Sequence, residues 1–328
     1  MSNNARPTPR PARVGPRVPA DWTPLRWGGP PPFVSWVTYR LPDGSEYTWR
    51  ARPHRKRTGP LLLSADRAGL RTGEGQPADA TSPWRRFWAP HRLAWWLALV
   101  FTVGSALFVA GAAGSLVPAF FGGQHPMSVF AESCYFAGAV LFTVALYGVL
   151  LEALNTDERI GPEGDNPAPR RFRWSPAPAD LTRLEVLIPV VFLAGSLIFN
   201  YETTDSLASL FDLLPRLGLW QTTMIGSVFF LLGSMLQFIE AGNHYLSVEP
   251  RDISWWIGVL FILGSVGFVI GSLPGLGTPG VPDAHADAGA LIVKIGFLSG
   301  GVAYLAGSYL MLPEMFSHLR PESTVRPS

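Results

Sequence analysis

Charge is scarce in this chain. Asp, Glu, Lys and Arg make up 15% of its 328 residues, against about 25% in an ordinary soluble protein. The deficit is uneven, because residues 1–92 hold 16 of the 26 basic residues and 15 of the 31 prolines. A long, nearly uncharged stretch remains, which excludes an ordinary cytosolic globule. Cysteine is also scarce: Cys134 stands alone, which excludes an intrachain disulfide and a cysteine-built zinc or iron–sulfur site. The signatures of membrane enzymes are missing. There is no His-Glu-x-x-His, no Gly-x-Ser-x-Gly and no phosphate loop. No enzymatic activity, cofactor or metal is expected. No apolar run lies near Met1, so the expectation is no cleavable signal, with the first hydrophobic span directing insertion.

What is present is apolar sequence in blocks. Apolar residues make up 48% of the chain. Six stretches, 93–117, 128–154, 184–201, 219–241, 253–273 and 288–312, meet the roughly 20 residues a helix needs to cross a hydrocarbon core. The fold class expected is an all-α membrane protein with six transmembrane helices arranged as three tandem helical hairpins. A short cytoplasmic β-hairpin is added near the N-terminus. The expected organisation is a disordered Pro/Arg-rich tail (1–32), the β-hairpin with a basic segment (33–60) and a linker (61–92). Hairpin 1 (93–155), a connector (156–182), hairpin 2 (183–243), hairpin 3 (244–315) and a tail (316–328) follow.

Lys and Arg collect on one side of these spans. The N-terminal region carries 16, the second connector carries Arg159, Arg170, Arg171, Arg173 and Arg183, the fourth carries Arg251, and the tail carries Arg320 and Arg326. The opposite loops hold only Arg216. Positive loops stay cytoplasmic, so both termini are predicted cytoplasmic. Trp84, Trp88, Trp95, Trp96, Trp255 and Trp256 would form an interfacial belt at that face. An Arg-, Pro-, Trp- and Gly-rich composition with two lysines points to a high-GC bacterial source, hence an inner-membrane location.

The spans repeat. Phe101-x-x-Gly104-Ser105-x-x-Phe108 recurs as Phe192-x-x-Gly195-Ser196-x-x-Phe199 and as Phe261-x-x-Gly264-Ser265-x-x-Phe268. In the even spans Gly138, Phe142, Ala145 and Glu152 match Gly226, Phe230, Gly233 and Glu240, then Gly300, Tyr304, Gly307 and Glu314. Small residues let helix backbones approach closely where lipid supplies no hydrophobic drive. The Gly-Ser pairs therefore read as packing positions, with a groove for a lipid or solute as the alternative. The two-span unit, Phe-x-x-Gly-Ser-x-x-Phe followed by Gly-x-x-x-Phe-x-x-Gly-Ser, with its nearest matches at 261–268 and 226–234, resembles the YrhK-like family of small bacterial membrane domains. The resemblance implies a membrane location in about three tandem copies and brings no activity with it.

Ionisable residues within spans are costly and are functional candidates. Glu152, Glu240 and Glu314 recur at the ends of their spans, where a helix C-terminus disfavours negative charge. They read either as ion pairs with connector arginines such as Arg92, Arg183 or Arg251, or as a ring that handles cations or protons. His244 and His318 follow two of them by four residues, but two ligands without a third do not make a metal site. Lys294 lies inside span six and either snorkels outward or pairs with Glu132, Glu202 or Asp287. Asn200, Tyr201 and Glu202 read as a polar cluster ending span three, and Asp283, His285 and Asp287 as a solvated outer loop.

Residues 33–52 are β-branched and aromatic on both sides of Asp43-Gly44, a hairpin signal. With those two residues as the turn, Trp36 and Trp49 would share a face. A lone hairpin is marginal in water, so it should dock on the spans, a protein partner or another protomer. The basic residues Arg52, Arg55, Lys56 and Arg57 read as ligands for anionic lipid headgroups, in preference to nucleic acid. The leading expectation is a non-enzymatic structural or partner-binding membrane protein that contacts lipids and has a further capacity for homo-oligomers. The rival is a carrier or channel for protons, cations or a small solute built on the three glutamates.

Overall fold

The computed structural model describes residues 18–19, 21–52, 60–61, 71–72, 87–116, 124–156, 172–211, 221–242, 245–246, 248–276 and 286–317. Strands β1 (Thr23–Gly28), β2 (Trp36–Arg40) and β3 (Glu46–Arg50) form an antiparallel sheet in that order. A short pair, β4 (Pro60–Leu61) and β5 (Arg71–Thr72), follows. Six long helices come next: α1 (Leu93–Leu116), α2 (Gln124–Asn155), α3 (Leu184–Leu210), α4 (Thr222–Gly242), α5 (Ile253–Ser272) and α6 (Ala286–Ser317). All six are long and apolar enough to cross a membrane, consistent with a polytopic membrane protein. Val103, Leu197, Leu232, Leu263 and Ile295 point outward and are exposed, as a lipid-facing surface requires.

The sheet differs from the expected hairpin in two respects. β1 lies in the Pro/Arg-rich region 1–32 that was expected to be disordered. It pairs with β2 at an edge, where Pro24 is tolerated and the register slips between Pro24 and Arg26. The β2–β3 turn is also longer than Asp43-Gly44. Leu41 N–H donates to the Ser45 carbonyl at 2.9 Å, so Pro42, Asp43 and Gly44 cross between the strands, with Gly44 at φ +84° in the left-handed region open to glycine. Asp43 accepts from the Ser45 hydroxyl at 2.6 Å and its N–H at 2.9 Å, which holds the Asp43 carboxyl below its usual range. The resulting register pairs Trp36 with Arg50 and Val37 with Trp49. Trp36 and Trp49 therefore lie on opposite faces, because a one-residue slip inverts a strand. Trp49 joins Trp22, Val37, Tyr39 and Tyr47 in a buried cluster.

The helices pack as a closed ring. Each contacts its sequence neighbours, and α6 returns to α1. Within each hairpin the glycine of the Gly-Ser pair lies against the matching glycine of the next helix. A Cβ on Gly104 would stand 3.3 Å from the Gly138 carbonyl and 2.9 Å from the Phe142 ring. On Gly195 it would be 3.1 Å from the Gly226 carbonyl, and on Gly264 3.0 Å from that of Gly300. The serines instead join neighbouring hairpins. Ser105 shares a hydrogen bond with Ser308 at 3.3 Å, Ser265 with Ser234 at 2.9 Å, and Ser196 with Thr143. Each serine hydroxyl buried between helices thus has a polar partner, which burial demands.

Two helices run well past the C-terminal ends of their apolar windows. α3 continues past Asn200, Tyr201 and Glu202 to Leu210, because Asn200 and Glu202 have partners on neighbouring helices. Asn200 donates to Thr143 and Glu202 accepts from Thr222. α6 runs through Pro313 and Glu314 to Ser317.

Candidate functional site

The sheet and the ring meet at Arg52. The Ala51 N–H donates to the Ser35 carbonyl at 2.9 Å, which extends the β2–β3 ladder by one step. The chain then turns helical at Ala51 and Arg52, and the side chain enters the ring. Two further contacts hold the sheet there: Phe33 packs on the main helical core, and the Tyr245 hydroxyl donates to the Pro31 carbonyl at 2.5 Å.

Arg52 is 6% exposed, so the expectation that it holds lipid headgroups is corrected. Its partners are two of the recurring glutamates. Nε and Nη2 donate to Glu314 Oε1 at 3.0 and 2.7 Å, and Nη1 donates to Glu240 Oε2 at 3.1 Å. The physical reason is solvation. A guanidinium buried away from water needs carboxylates, and the last turns of α4 and α6 present two of them. Burial would lower the Arg52 pKa, but attraction to Glu314 and Glu240 outweighs it and holds the group above its ordinary value. Glu314, though in the last turn of α6, lies beside the first turn of α5. Ser254 donates its hydroxyl to Glu314 Oε1 at 2.7 Å, and its N–H is capped by Asp252 at 2.9 Å. The unfavourable C-terminal dipole of α6 is thereby offset by the favourable N-terminus of α5.

The connector arginines have carboxylate partners close in sequence. Arg183 pairs with Glu185, and Arg173 of the same connector with Asp180; Arg251 is exposed. The hydrogen bond from Arg173, helped by the Ala177 N–H, outweighs burial, which by itself would raise the pKa, and holds the Asp180 carboxyl below its usual range. Lys294 is half-buried on α6 and does not line the Arg52 site. Arg55, Lys56, Arg57, His244, His285 and His318 lie outside the described residues. Among the described residues no group of three His, Cys, Asp or Glu is placed to hold a metal.

Beneath Arg52 is a cavity of ≈ 60 Å³. Arg52, Glu240, Glu152 and Gln237 line it with Phe101, Phe192, Phe261 and apolar residues of the ring. Glu152 therefore shares a chamber with Arg52 and Glu240. The floor is aromatic. Phe142, Phe230 and Tyr304, one from each hairpin, meet with ring centroids 5.8 to 6.0 Å apart. Each also packs on the two phenylalanines of its own hairpin's Phe-x-x-Gly-Ser-x-x-Phe segment, at 4.7 to 5.5 Å. Nine rings thus fill the middle of the bundle. The Tyr304 hydroxyl, alone among them, needs partners, and shares hydrogen bonds with Ser265 at 2.8 Å and Ser234 at 3.1 Å.

The repeated phenylalanines were visible in the sequence as helix-packing residues, but their meeting on a common axis was not. Ser254 and Gln237 carried no signal. Comparison of the chain with models of known families, with curated proteins and with solved structures finds no match.

Proposed function

We propose that this is a non-enzymatic bacterial inner-membrane protein whose ring of three YrhK-like hairpins is a rigid base for a cytoplasmic sheet that binds a protein partner. The hairpins are taken as copies of one unit, and both termini as cytoplasmic. The observation that carries this reading is the nine-ring core. Aromatic side chains in mutual contact across the axis leave no polar path, and conduction needs one. The Arg52 cluster then acts as the joint between ring and sheet.

The sheet offers a definite surface. Arg26, Arg40 and Arg50 are exposed and, by the strand register, lie on one face with Thr38, Thr48 and Glu46, which pairs with Arg26 at 3.3 Å. Such a face suits an acidic partner, since complementary charge speeds and orients encounter. The test has two arms. Cross-linking in intact cells from the loop at 42–44 should give a defined protein adduct that is lost when Arg26, Arg40 and Arg50 are all changed to Glu. Purified protein in liposomes should carry protons, Na⁺ or K⁺ no faster than empty liposomes. Flux that disappears on changing Glu152, Glu240 and Glu314 to Gln would overturn the scaffold in favour of a carrier.

A further inference from the structure

Three facts about the Arg52 chamber bear on what it can bind. First, its two halves come from different parts of the protein. The carboxylates belong to the ring, on α4 and α6, whereas the guanidinium arrives from the sheet across 188 and 262 residues of sequence. The anionic half therefore belongs to the ring alone. Second, that half is shaped for a planar fork. Glu314 Oε1 takes two N–H groups and Glu240 Oε2 takes a third, and a rigid guanidinium matches such an arrangement where a point charge does not. Third, the space continues past Arg52 and Glu240 into a cavity walled by Phe101, Phe192, Phe261 and Tyr304. Aromatic faces accept a cation or a short apolar tail. A cavity of ≈ 60 Å³ has room for several water-sized groups, at about 10–15 Å³ each. That sets the scale of an occupant at a few heavy atoms.

We infer that the position Arg52 occupies on Glu240 and Glu314, together with the cavity beneath it, is a binding site for a small organic cation of the guanidinium or amidinium class, with Arg52 as its tethered competitor. The head group replaces the Arg52 fork on Glu240 and Glu314, and a short apolar substituent lies over the phenyl rings. Binding and docking of the sheet are then mutually exclusive at this point. A ligand that takes the carboxylates frees Arg52, and linkage requires that release of the sheet tighten the ligand by the same factor. The inference stands apart from the partner proposed for the outer face of the sheet. That partner could be absent and the chamber would still take the cation.

The test uses the full chain in detergent with methylguanidinium as the probe. Methylurea serves as the neutral isostere, and NaCl as the control for ionic strength. In Arg52→Ala the thermal midpoint should rise saturably with methylguanidinium and stay unmoved by methylurea. At ten times the Kd the folded-to-unfolded ratio should increase about tenfold. The response should vanish in the triple variant Arg52→Ala, Glu240→Gln, Glu314→Gln. Equal stabilisation by NaCl, or a response that persists in the triple variant, overturns the site. The wild-type chain supplies a second measurement that does not depend on the variant folding. n-Propylguanidinium should accelerate hydrogen exchange of the Ala51 amide, and no change at saturating probe overturns the competition.

Discussion

Changing Arg52 to Met keeps an unbranched stem in the ring and deletes the guanidinium. Three charge-assisted hydrogen bonds go with it. At about 1.5–3 kcal/mol each their simple sum is an upper bound, because two share Glu314 Oε1 and such terms do not add. Ser254 still donates to that oxygen after the change. The better guide is the loss seen when one member of a buried ion pair is removed, about 3–5 kcal/mol, and this is the expected destabilisation of Arg52→Met. Most of the loss comes from carboxylates left buried without a cation. Adding Glu240→Gln and Glu314→Gln should therefore recover most of it, although the triple variant has fewer attractive contacts. Equilibrium unfolding in mixed micelles, followed by far-UV circular dichroism, measures both. A loss below about 1 kcal/mol for Arg52→Met, the size of an exposed pair, would refute the reasoning, because it would mean that water reaches the cluster. A triple variant as unstable as the single one would assign the loss to packing of the arginine stem rather than to charge.

Two other predictions follow from close contacts and from burial. Gly264→Ala should lose about 1–3 kcal/mol by overpacking, because the new Cβ meets the Tyr304 ring at 2.4 Å and the Gly300 carbonyl at 3.0 Å. Gly226→Ala, with nothing nearer than 3.3 Å, should lose less, and the same micelle titration ranks the two. Burial, followed by the charge of Tyr39, pushes the Tyr47 hydroxyl from 10.0 up to about 12. A raised folded-state pKa means that this contribution is intact below pH 10 and is lost as pH rises from there through about 12. Alkaline titration of the sheet's tryptophan fluorescence should show that loss, and Tyr47→Phe should reduce it.

Much of the architecture was already determined by local sequence. A helix that crosses a membrane is a property of a roughly 20-residue window, so the six apolar stretches were legible singly. The Gly-Ser and Phe positions could be read from their recurrence, since residues three and four apart share a helix face. The sheet was legible only in part. Alternation marked β2 and β3, but the density of Pro and Arg hid β1. The turn could not be told from Asp43-Gly44 alone, because closing at Leu41 and Ser45 differs by one residue and inverts the tryptophan faces. The polar residues 200–202 looked like the end of α3, but a partner of Asn200 on α2 and of Glu202 on α4 let the helix continue. Arg52 was the least legible of all. In the sequence it opens a basic run and belongs with Arg55, Lys56 and Arg57; only the ladder through Ala51 and the turn that follows carry it into the ring. Its carboxylate partners lie 188 and 262 residues away, a separation over which composition and periodicity hold no information. Local sequence therefore determined which segments are helices and which face of each is small or aromatic. The closing of three hairpins on one axis, and the seating of a distant arginine on two of their glutamates, were decided by tertiary structure, because a buried charge is stabilised only by groups that folding brings within a few ångströms.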